Sequence, residues 1–145
     1  MAHDLFNDIQ VKLAEPPALN TNSDAAIVST ILDTSGFDSN TFVGVLGTCT
    51  DAGFTTVVLM EEGDNSALSD AAAVADADLI GTEAGCQFTQ ATGDLATFKL
   101  GYKGTKRYIR VTITPTGNGA GDIPFAGIWL QGNARSLPKS TQIVT

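Results

Sequence analysis

The sequence predicts an all-β protein, an antiparallel β-sandwich of jelly-roll type with extended N- and C-terminal arms. Three observations carry this expectation. The chain has 145 residues, 43% hydrophobic and 17% charged, enough for one core in one domain and too little charged for a disordered chain. Its 15 glycines and many Thr and Ser favour strands and tight turns over long helices. Apolar runs of strand length alternate with short clusters of Asp, Asn, Ser and Gly, the spacing of a sandwich or barrel.

Residues 1–24 read as an N-terminal arm. Leu5, Ile9, Val11 and Leu13 are apolar residues spaced by polar ones, with Phe6 beside them. Pro16-Pro17 then denies the segment a helix, leaving a loosely attached arm or an edge strand. The sandwich spans 25–131. Its expected strands are Ala26–Leu32, Thr41–Gly47 and Phe54–Glu61, separated by the turn-rich 33–38 and 48–53. The stretch 62–93 is less regular: Ala71–Ala75 reads as a short strand or irregular segment, and Thr89–Gly93 as a flexible loop. Ala96–Tyr102 follows, then Lys103-Gly104-Thr105 as a tight hairpin connection. Lys106–Thr114 alternates strictly, with Ile109, Val111 and Ile113 on one face. Glycines 117, 119 and 121 mark a flexible connection to a last core strand, Pro124–Leu130. Residues 132–145 read as a polar C-terminal tail.

Charge narrows the function classes. The formal net charge is −8, poorly suited to neutralising phosphates or approaching anionic lipid, so neither nucleic acid nor a membrane is an expected partner. The charge is unevenly placed. No Lys or Arg lies between Leu13 and Phe98, whereas Lys99, Lys103, Lys106, Arg107 and Arg110 follow with no acid among them. This is a solvated strand face or, in a sharper reading, a docking patch for an acidic neighbour such as another copy of the chain. The start Met-Ala-His-Asp-Leu-Phe lacks the basic and apolar regions of a signal peptide, and no segment is apolar enough to span a bilayer as a helix.

Catalytic and metal signals are weak. His3 is the sole histidine, which argues against a His-based triad or general base and, with two cysteines, against a zinc site. Gly117-Asn118-Gly119-Ala120-Gly121 lacks the Lys-Ser/Thr and the helix of a phosphate loop. Asp64, Asp70, Asp76, Asp78 and Glu83 sit in turn-like sequence where a glycosidase needs two converging acids. Neither Asp64-Asn65-Ser66 nor Asp76-Ala77-Asp78 has calcium-loop spacing. No cofactor is therefore expected, and no enzymatic activity. Trp129, Tyr102 and Tyr108 are candidates for a sugar-stacking platform, although core packing is the commoner fate of such a Trp. Cys49 and Cys86 are expected as buried thiols, pairing only if the fold brings them within reach.

Three segments, Asp33–Phe42, Asp76–Gly81 and Gly101–Val111, resemble those of small head-decoration or cement proteins of tailed phages, some of which are jelly-roll or related β-sandwiches. The resemblance runs from about Ile27 to Leu130. It implies a virion protein made in the host cytoplasm and bound in many copies to the outer surface of the capsid. There it would cement neighbouring subunits of the major capsid protein, as a homodimer or homotrimer. The expected contact residues are Leu5, Phe6, Ile9, Val11 and Leu13 of the arm, with Lys103, Lys106, Arg107 and Arg110. Competing readings are a carbohydrate-binding sandwich, a small carboxylate hydrolase and a head–tail connector or tail component.

Overall fold

Strand alternation places ten strands in two facing antiparallel sheets in the computed structural model, which describes residues 4–137 and 139. After a helical turn, α1 (Leu5–Asp8), come β1 (Ile9–Ala18), β2 (Ile27–Val28), β3 (Leu32–Asp33), β4 (Phe37–Leu46) and β5 (Thr55–Gly63). Then follow β6 (Ala72–Ala73), a 3-10 turn at Asp76–Asp78, β7 (Leu79–Ile80), helical turns α2 (Glu83–Cys86) and α3 (Gln90–Gly93), β8 (Thr97–Tyr102), β9 (Tyr108–Thr116) and β10 (Phe125–Ala134). The first sheet has the order β1-β10-β4-β8-β7, and the second β2-β9-β5-β6 with β3 also on β9. The antiparallel β-sandwich read from the sequence is the architecture observed.

The core lies between the sheets. Phe42, Leu100, Phe125 and Trp129 of the first sheet meet Val58, Met60, Ile109, Val111 and Ile113 of the second. Phe42 is the hub of an aromatic cluster, with its centroid 5.1 Å from Trp129 edge-on and 6.0 Å from Phe98. Each such side chain contributes roughly 1.5–3 kcal/mol on burial. Gly44 makes room for the cluster, because a Cβ there would strike the Phe98 ring. Trp129 Nε1 donates to Thr30 O at 3.1 Å. The buried Gln131 donates from Nε2 to Asp33 O (3.1 Å) and Asn40 Oδ1 (2.8 Å), which ties β10 to β4 and to the 33–38 turn.

Five sequence expectations are corrected. Of the two readings of the N-terminal segment the edge strand is the one observed, so the boundary placed at residue 25 falls away: from Ile9 the segment pairs with β10 at the edge of the first sheet, and Ala14 is fully buried. Thr30 holds it from the other side, donating from N to Ala14 O (2.7 Å) and from Oγ1 to Leu13 O (2.9 Å). Pro16 and Pro17 fit because an edge strand tolerates missing donors. At the other end, β10 continues to Ala134, past the expected boundary at 131.

Lys103–Thr105 does not close a hairpin. β8 pairs with β4 in one sheet and β9 with β5 in the other, so residues 103–107 cross between sheets. The crossing wraps Tyr102, whose hydroxyl donates to Glu62 Oε2 (2.5 Å) and accepts from Lys106 N (2.9 Å). Thr89–Gly93 is likewise no open loop: Thr89 N donates to Thr92 Oγ1 (3.0 Å), starting α3. The glycine-rich 117–121 connection is pinned by Asn118, which is buried and donates from N to Asp24 Oδ1 (2.8 Å) and from Nδ2 to Asn20 O (2.9 Å) and Ser23 O (3.2 Å).

Candidate interaction surface

The register of the first sheet decides what its outer face carries. One row across it is Leu13, Ile128, Val43, Lys99, and the next is Val11, Leu130, Thr41, Gly101, Ile80. Ala126, Val45 and Thr97 form a third, and Ile9, Gly132 and Ser39 a fourth. Lys99 is the one charged side chain in these rows. Val11 (43%), Leu13 (54%), Val45 (43%) and Ile80 (59%) are well exposed, and Ile9, Val43, Ala126, Ile128 and Leu130 are half-buried. The face is therefore a continuous apolar surface directed at solvent, unlike singly scattered apolar residues. It runs into an open depression of about 410 Å³ lined by Leu19, Val45, Gly47, Pro124 and Ala126 among others.

Leu13, Ile128, Val11 and Leu130 carry the β1–β10 half. On the β8 half the Ile80 side chain packs over Gly101, where a Cβ would lie 2.9 Å from its own, and Thr41, Ile80, Gly81 and Lys99 line a hollow of about 250 Å³ beside it. The outer face of the second sheet differs. There Glu61 and Arg110 pair at 2.7 Å, and Thr112 and Thr114 sit on β9 beside Leu59 and Val57.

The structure divides the expected contact residues into three places. Ile9, Val11 and Leu13 join the apolar face. Arg110 lies on the other sheet, paired with Glu61. Leu5 and Phe6, 66% and 53% exposed, share one end of the sandwich with Lys103, Lys106 and Arg107. A polar cavity of about 460 Å³ at that end is lined by Lys103, Lys106, Arg107, Arg135 and the 34–38 turn. Most of its cations already have partners: Lys106 meets Asp64 (2.5 Å), Arg107 meets Asp33 (2.9 Å) and Arg135 meets Asp38 (3.0 Å). Three members of the cation run are thus matched by acids distant in sequence, which leaves Lys103 at this end and Lys99 on the apolar face. The Arg107 guanidinium, hydrogen-bonded to Asp33, holds that carboxyl at about 2. His3 lies outside the described residues, as does the tail from Ser140 onward.

Other candidates resolve into structural roles. Trp129 is fully buried and Tyr102 is 3% exposed, so neither presents a ring to a sugar; Tyr108 remains half-buried under Arg107, 5.2 Å from its ring centre. Burial, followed by the bond to Glu62, pushes the Tyr102 hydroxyl far above its usual range. Asp70 accepts from Asp64 N (2.8 Å) and Asn65 N (3.1 Å), closing its own loop. Glu83 Oε1 accepts from Met60 N at 2.6 Å. Cys49 and Cys86 are unpaired and buried. Burial raises both thiols, with Asp94 adding to the effect at Cys49 and Glu83 at Cys86.

Sequence reasoning missed Val43, Val45, Ile128, Leu130 and Ile80 as surface residues. For four of them a signal existed. Thr41–Leu46 and Ile128–Leu130 are apolar at odd and even positions alike, the pattern of a strand covered on both faces, whereas Lys106–Thr114 alternates. Ile80 offered no such signal, because β7 is only two residues long.

No protein-family model matches the chain, and no curated protein matches it significantly. Among solved structures it is similar in fold to the PBSX exported protein XepA, with a TM-score of 0.51 and 15% identity, over 94% of this chain and 43% of that one. It spans less than half of that protein. Looser similarities link it to a protein of Bacillus endospore appendages, described as disulfide-linked pili (TM-score 0.41, 17% identity, 91% and 96% coverage). Another is the xylan-binding module CBM15 (TM-score 0.40, 11% identity, 92% and 96% coverage). At these identities the first similarity establishes a shared β-sandwich fold and nothing about activity.

Proposed function

We propose that this chain is a non-enzymatic structural protein of a tailed-phage virion. It binds the outside of the capsid in many copies and cements neighbouring major capsid subunits. The observation that carries the reading is the outer face of the first sheet. A sheet apolar on both sides calls for a third layer, and a protein held within an assembly supplies one. The resemblance of 33–42, 76–81 and 101–111 to head-decoration proteins gives the reading its particular setting. Mass action explains the benefit: a protein that binds the assembled lattice, and not free subunits, stabilises the lattice. Neither nucleic acid nor a membrane is a partner in this reading.

Co-sedimentation with capsids that lack the protein tests it. Saturable binding near the copy number of the major capsid protein, with shells that resist higher temperature, is the expected result. No binding, or a handful of copies per particle, defeats it. A glycan array is the matched test of the sugar-binding alternative, which has lost the Trp129 and Tyr102 rings to the core.

A further inference from the structure

We propose that the polar cavity at the cationic end of the sandwich is a binding site for an anionic sugar. Such a site is independent of capsid binding, and either can be absent without the other.

The floor of the cavity is where the core stops being apolar. Across the inner face of the first sheet, the row Trp129, Phe42, Leu100 is followed two residues on by Gln131, Asn40, Tyr102. Packing alone would favour a further apolar row. Asn40 is 5% exposed and lines the cavity. Its amide is oriented from behind. Gln131 Nε2 donates to Asp33 O, a carbonyl that can only accept, so that same nitrogen meets Asn40 at 2.8 Å and the atom it meets is Oδ1. Asn40 Nδ2 is thereby turned to the cavity side. It has no hydrogen-bond partner among the described residues, and it is not sealed from solvent. A donor left open on a nearly buried side chain stands ready for an incoming acceptor.

The walls hold further unspent donors. The acids around the cavity are used: Asp33 by Arg107, Asp38 by Arg135, Asp64 by Lys106 and Glu62 by the Tyr102 hydroxyl. The cations are not used up. Arg107 and Arg135 engage their acids through Nε and Nη2, which leaves each Nη1 edge open. Lys103 has no ion pair among the described residues. A cavity whose acceptors are spent and whose donors are open takes a ligand that brings acceptors. Guanidinium and ammonium donors favour an oxyanion among these.

Size and lining select a sugar to carry the oxyanion. The volume of about 460 Å³ lies within the span of small-molecule sites, roughly 300–1,000 Å³, and exceeds what a single phosphate or carboxylate ion fills. Phe37 is the one wholly apolar side chain lining it among the described residues, and Thr34, Ser35 and Thr105 bring hydroxyls. An anion on an aliphatic or aromatic frame would set carbon against those hydroxyls and the Asn40 amide. The hydroxyls of a sugar meet them instead.

The full chain, isotope-labelled for amide NMR, is titrated with D-glucuronate, D-glucose 6-phosphate, D-glucose and inorganic phosphate. Saturable shifts at 34–38 and 103–107 are expected with at least one of the two anionic sugars, and the one that binds tells whether a carboxylate or a phosphate is the anchor. Glucose should bind at least about 10-fold more weakly, because it lacks the charge-assisted bonds. Glucose binding as well as both anionic sugars overturns the need for charge. Inorganic phosphate binding as tightly as the better sugar overturns the sugar. No saturable shift with any of the four overturns the site.

Variants locate the ligand. Lys103→Glu and Arg135→Gln alter exposed side chains, and each is expected to weaken binding about 10-fold. Asn40→Asp keeps the shape, replaces the open donor with an acceptor and is expected to abolish binding. Urea unfolding shows whether N40D is folded; where it is not, K103E and R135Q decide. Lys99→Glu makes the same charge change on the apolar face and should bind as the wild type does. Wild-type affinity in both K103E and R135Q, or an equal loss in K99E, overturns the assignment to this cavity.

Discussion

Trp129 and Asp33 show what single side chains do here. Trp129 fills the centre of the first sheet's inner face and donates to Thr30 O. Trp129→Ala is expected to cost about 3–5 kcal/mol, read as a lower urea midpoint. Asp33 works through charge. Its folded carboxyl is held near 2 by Arg107, below the unfolded value of about 3.9. Its contribution is therefore complete above pH 4 and is lost as pH falls toward 2, because the unfolded chain takes up the proton first. Arg107→Ala should flatten the loss of stability across that window. An unchanged pH profile would show that the ion pair is not formed in solution. The cysteines give a third residue-scale expectation: both thiols should resist a thiol reagent in the native protein and react on unfolding, because burial shields them and disfavours the thiolate. The role of Trp129 was legible in its place on a final apolar strand. The pairing of Arg107 with Asp33 was not, because nothing local says which of the 16 acids folding brings beside it.

At the scale of elements, β1 separates the two readings of the N-terminal segment. A loose arm can be trimmed without loss. The edge strand observed covers the β10 side of the core with Ala14 and is fastened by Thr30 on its far side. Deleting residues 1–18 should lower stability by more than about 4 kcal/mol or abolish cooperative unfolding; an unchanged urea curve would restore the arm. Strand positions were largely readable, since β4, β5, β8, β9 and β10 each fall within a few residues of an expected strand. Partnerships were not. The alternation from Lys106 to Thr114 fixes which side chains point inward but not which sheet receives the strand. The anchoring of Tyr102 by Glu62, far away in sequence, turns the expected hairpin into a crossing between sheets.

For the whole molecule, the separation of charge from the apolar face has a measurable effect. Repulsion between two copies arises from the net −8 and is screened by salt, whereas apolar contact is not. Any association of two copies through this face is therefore expected to tighten a few-fold between about 50 and 500 mM salt, measured by sedimentation equilibrium. Weakening with salt would point instead to the cationic end as the joining surface. This distribution was half visible in the sequence: the long stretch without Lys or Arg was plain, but only the register shows that Lys99 is alone among apolar neighbours.

The pairing of β1 with β10 has one more consequence. The outer face draws Val11 and Leu13 from the first strand and Ile128 and Leu130 from the last. A chain still being synthesised, or released early before Phe125, owns only part of that face and lacks Trp129 beneath it. The apolar face is therefore complete only once the last strand has paired, and a chain cut short before Phe125 is expected to lack it.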